Sequence, residues 1–83
     1  SMEQNTLKTT LSYLTSELNR IQTIAGTLSS IEEQHYKDLT SIGDDKLNQI
    51  ALEEQNASRQ LGEIKQLCIG LTQKIEELKQ QNG

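Results

Sequence analysis

The chain has 83 residues and a mass of 9.3 kDa; 33% of it is apolar, it has two aromatic residues and no Pro or Trp, and its formal charge is −4. A chain this short and this poor in large side chains holds one domain at most; it excludes an all-β fold and a dinucleotide-binding domain and leaves little room for a self-sufficient enzyme. Its eight basic residues are scattered among twelve acidic ones, so it lacks the basic face that nucleic acid or an anionic membrane would need.

Residues 1–4, which open Ser1-Met2, read as a tag remnant and a disordered start. A heptad stripe then runs through Leu7, Leu11, Leu14, Leu18, Ile21, Ala25, Leu28, Glu32, His35, Leu39 and Ile42 in steps of four and three. Such spacing predicts a coiled-coil helix over 5–42. Gly26, followed by the capping-box patterns Ser29-x-x-Glu32 and Ser30-x-x-Glu33, offers a break into a further helix. The helical spacing of Ile24, Leu28 and Ile31 runs straight through that region.

The stripe loses phase at Ile42, because the next apolar position is Leu47, five residues on. The shift falls on Ser41-Ile42-Gly43-Asp44-Asp45. Gly43 suits a helix end, Asp44 an N-cap and Asp45 the positive first turn of a new helix. A turn near Gly43-Asp44 is therefore expected. A second stripe follows over 45–82, through Leu47, Ile50, Glu54, Ala57, Leu61, Ile64, Cys68, Leu71, Ile75 and Leu78.

The expected fold is all-α: a coiled-coil helical hairpin with arms 5–42 and 45–82, each about 57 Å long. The alternative is one continuous coiled-coil rod of about 115 Å, with Gly43-Asp44 a mere irregularity. In the hairpin, Gly26 falls level with Leu61 and Gly62, where small residues would allow close approach. Glu32, His35 and Glu54 fall together as a polar layer. A lone hairpin cannot cover both stripes, so two are expected to form a four-helix bundle. The interaction seam is Leu11, Leu14, Leu18, Ile21, Leu28, Leu39, Leu47, Ile50, Leu61, Ile64, Leu71, Ile75 and Leu78. Ile24, Ile31 and Leu67 widen it.

No catalytic constellation can be assembled. Cys68, the lone cysteine, sits on the seam as a small hydrophobe, and Tyr13 and Tyr36 lie off the seam. Glu32-x-x-His35 resembles the half-motif of ferritin-like di-metal carboxylate bundles, which implies a metal held with Glu54; the plainer expectation is a register-setting polar layer without cofactor. Residues 57–83 resemble a SNARE layer pattern at Leu61-Gly62-Glu63-Ile64, Leu71, Ile75 and Leu78, but lack its central Gln or Arg layer. Equal arms resemble small secreted hairpins with a Trp-x-Gly turn, where this chain has Ser41-Ile42-Gly43. Neither resemblance assigns a family.

The function expected is a non-catalytic oligomerisation or protein-interaction module within a larger assembly. Its partner would be itself, as a dimer, or another helical protein, with no nucleic acid and no direct membrane insertion. A single Cys and the absence of a signal peptide point to an intracellular, cytoplasmic setting. A membrane-tethering or secretion-associated hairpin and a di-metal carboxylate bundle are the alternatives.

Overall fold

The computed structural model describes residues 1–82. It is a hairpin of two long helices, α1 (Met2–Thr40) and α2 (Asp45–Asn82), of 39 and 38 residues. No strand occurs among the described residues. The Cα trace measures 64 × 15 × 12 Å, the length of one arm and far short of a continuous rod.

α1 begins three residues ahead of the expected start at residue 5. Ser1 is its N-cap: Gln4 N–H donates to Ser1 Oγ, and Gln4 Oε1 accepts from the Ser1 amino group, each at 3.3 Å. This closes a capping box that satisfies two otherwise orphaned donors. α1 runs unbroken past Gly26, so no third helix forms. Ser29 and Ser30 are not caps. The Ser30 hydroxyl donates to Gly26 O one turn back, and Ser29 reaches across to α2.

α1 ends at Thr40, two residues before the expected boundary. Ser41 N–H donates to Lys37 O and the Ser41 hydroxyl to Asp38 O. Gly43 then takes the left-handed conformation, φ 81°, which L side chains disfavour. Asp44 caps α2, its Oδ1 accepting from Leu47 N–H at 3.0 Å. Stop and start signals thus act within four residues, and the chain reverses.

The arms meet along a line that differs from the expected seam at every second position. In α1 the inward residues are Leu11, Thr15, Leu18, Gln22, Ala25, Ser29, Glu32, Tyr36 and Leu39. In α2 they include Leu47, Ala51, Glu54, Ser58, Leu61, Cys68, Thr72 and Ile75. Among the described residues only Leu11, Ala25, Ala51 and Cys68 are buried, with Ala51 0% exposed. Ala25, Ser29, Ala51 and Ser58 alternate along this line with larger residues such as Leu18, Leu39 and Leu61, and they let the arms come close.

Ser29 and Ser58 form its central clamp. Each hydroxyl donates to the other residue's carbonyl, at 2.9 and 3.0 Å. The expected close approach at Gly26 and Gly62 is not what brings the arms together. A Cβ on Gly26 would meet the Lys65 side chain at 3.6 Å, an ordinary contact, and a Cβ on Gly62 would meet nothing within 4 Å.

Candidate interaction face and polar cluster

The predicted seam residues divide into two sets. Leu11, Leu18, Leu39, Leu47, Leu61 and Ile75 turn toward the other arm and are buried or half-buried. Leu14, Ile21, Leu28, Ile50, Ile64, Leu71 and Leu78 do not, and each remains 40–49% exposed. Treating both sets as one seam missed this division. In each arm the heptad stripe is wider than the line one neighbour can cover.

The exposed set is strictly periodic. In α1 it recurs every seven residues from Leu7 through Leu14, Ile21 and Leu28 to His35, and Ile42, in the turn, continues the spacing. In α2 it recurs at Ile50, Ile64, Leu71 and Leu78, with the half-buried Ala57 on the same line. Each line lies three residues from the packed line of its own helix, about 50° round the axis. Antiparallel helices with the same offset turn their open lines to the same side of the pair; parallel helices would turn them to opposite sides. The hairpin therefore carries one apolar face with two ridges. Ile24, Ile31 and Leu67 extend it at its flanks, all exposed.

The remaining surface is mostly polar, with Met2, Tyr13 and Leu52 as single exposed apolar residues. The molecule exposes 6187 Å², whereas a compact 9.3 kDa monomer exposes about 5,000 Å². The difference comes from the elongated two-helix shape, in which nothing covers the open face.

At the turn-proximal end this face is interrupted by the polar cluster. His35 Nδ1 lies 3.3 Å from Glu54 Oε2 and 4.0 Å from Glu32 Oε1. Glu32 and His35 share a face of α1, one turn apart, and Glu54 reaches them from α2. The expected polar layer is thus brought together across the arms. The carboxylates are half-buried, and His35, on the open face, is more exposed. One ligand atom from each residue lies within 4.8 Å of the others, a spacing a metal ion could draw together. Imidazole with carboxylate oxygens suits a divalent first-row metal.

Other singled-out residues stand apart. Cys68 is buried and makes no disulfide. Tyr13 is exposed and Tyr36 half-buried on the inward line. The Ser29–Ser58 clamp and the inward pair Thr15 and Thr72 escaped the sequence reading, because a stripe traced through Leu and Ile passes over hydroxyl residues. The seven-residue spacing of Ala51 and Ser58 was the available signal. Among the described residues, no helix is long and apolar enough to cross a membrane.

Together these features define a coiled-coil helical hairpin with an open apolar face. No protein-family model matches the chain, and no significant match appears among characterised proteins or solved structures.

Proposed function

We propose that the chain is a non-catalytic coiled-coil interaction module in which two hairpins bury their open faces against each other as a four-helix bundle. The observation that carries this reading is the pair of seven-residue apolar lines on one side of the hairpin. A face about 64 Å long and 15 Å wide offers roughly 1,000 Å² per copy, in the range of a stable interface. Half-exposed Leu and Ile along its length match the a/d geometry of bundle cores. Such a module serves to oligomerise or dock a larger assembly. Sedimentation equilibrium across micromolar concentrations tests the proposal: a dimer is expected, and a persistent monomer overturns it.

A second reading has one observation in its favour, the gathering of Glu32, His35 and Glu54. In it the cluster holds a divalent metal such as iron or manganese. Stoichiometric metal in purified protein, lost in His35→Ala, would establish it. Metal-free protein that binds neither ion on titration would dismiss it.

A further inference from the structure

Two hairpins can close their open faces about a twofold axis in two ways. With the axis along the bundle, both turns lie at one end and α1 packs against the partner's α2. With the axis across the bundle, the turns lie at opposite ends and like helices meet. We infer that a second copy of this chain docks in the first way, turn beside turn, so that the polar clusters of both copies share one layer. This inference rests on the self-association proposed above.

The polar cluster favours this arrangement by matching polar groups, although it gathers four carboxylates with two histidines in one layer. It lies toward the turn end of the face, whereas Leu7 and Leu78 occupy the opposite end. Turn-beside-turn docking sets His35 and its carboxylates against the same groups of the second copy. The reversed arrangement lays them on the Leu7–Leu78 end, where the ridge positions are leucine and only the flanking Glu3 and Lys74 are charged, so burying the imidazole there is costly.

The flanks point the same way. The Ser29–Ser58 clamp sets the level of the two arms, and by that register Ile24 and Leu67 stand about 6 Å apart in level, a little over one helical turn. They are 56% and 66% exposed. Turn-beside-turn docking brings Ile24 against Leu67 of the partner copy; the reverse brings Ile24 beside Glu17 of the partner copy. The α1 flank carries Glu17 and Asp38, and the α2 flank carries Lys46 and Lys74, neither of which makes an ion pair among the described residues. Alternating helices places Glu17 by Lys74 and Asp38 by Lys46. Glu53, also on the α2 flank, opposes Asp38, one adverse pairing against two favourable ones. The reverse arrangement sets Glu53 by Lys74, one favourable pairing, and stacks Glu3 on Asp38, one adverse one.

Spin labels at the turn distinguish the arrangements. In a Cys68→Ala background, Ser41→Cys carries one nitroxide per chain, and pulsed dipolar spectroscopy reads the distance between copies. Turn-beside-turn docking predicts a separation below about 30 Å, two to three helix diameters. A dimer with a separation above about 50 Å overturns the inference while leaving self-association intact. A monomer overturns both. The unmodified protein supplies a second readout that does not depend on the labelled variant folding. Carbodiimide cross-linking of mixed 14N and 15N chains should join Glu17 to Lys74, and Asp38 to Lys46, between copies. Inter-copy links of Glu53 to Lys74 without these two would show the reversed arrangement.

Discussion

Thr15 Oγ1 and Thr72 Oγ1 are buried without a hydrogen-bond partner, and the register of the serine clamp sets them opposite each other between the arms. A buried hydroxyl that gains no bond keeps its desolvation cost. Replacing both with Val keeps the shape and removes that cost. Thr15→Val with Thr72→Val is expected to stabilise the fold by about 1–2 kcal/mol, read as a higher midpoint in urea at fixed protein concentration. The serine clamp behaves oppositely. Ser29→Ala with Ser58→Ala removes two inter-arm bonds and is expected to cost about 1–2 kcal/mol by the same measurement. Gly26 has room for a methyl group beside Lys65 and lies mid-helix, so Gly26→Ala should stabilise by about 0.5–1 kcal/mol. Loss of stability there would mean the arms approach more closely than the 3.6 Å contact implies. None of these roles was visible in a pattern built on apolar residues, because a hydroxyl's worth depends on which atom lies across the interface.

The helices and their reversal were legible at the level of the element. Heptad spacing predicted both arms, and the phase shift at Ile42–Leu47 located the turn within a residue or two. The signals are local: a left-handed glycine, an Asp whose carboxylate accepts from a free amide, and an acidic first turn. Helix ends were less so. α1 starts earlier and stops sooner than its apolar stripe, since capping hydrogen bonds set the ends. Gly43 has open space around its Cβ position, so substitution there is penalised by backbone conformation alone. Gly43→Ala is expected to cost about 1 kcal/mol, and Gly43→Asn distinctly less, because Asn tolerates the left-handed region. Thermal unfolding of the two variants beside the parent checks the order; equal losses would mean that the turn has reorganised.

At the scale of the whole molecule, the hairpin is long and thin, with a radius of gyration of 18.6 Å against about 12 Å for a compact chain of this length. Four buried residues among those described are too few to hold two helices of this size independently. Under the proposed assembly, folding and association are linked, so the thermal midpoint should rise with protein concentration. Ile21→Asp, on the open face, should yield a monomer that has lost most of its helical signal in circular dichroism. Leu52→Asp, exposed but off both open lines, should leave mass and helicity unchanged. Equal effects of the two changes would show that the open face is not the contact surface.

Periodicity and capping chemistry by themselves determined that this chain makes two equal helices, and where it turns back, because those signals act within a few residues of sequence. They also named the residues of the polar layer, whose members fall level once the turn is placed. Only the tertiary structure decided which half of each heptad stripe is spent on closing the hairpin and which half is left on its surface. One neighbouring helix covers one line of side chains, and the choice falls where Ala51, Ser29 and Ser58 let the arms come close. The large residues Leu14, Ile21, Ile64 and Leu71 are thereby turned outward.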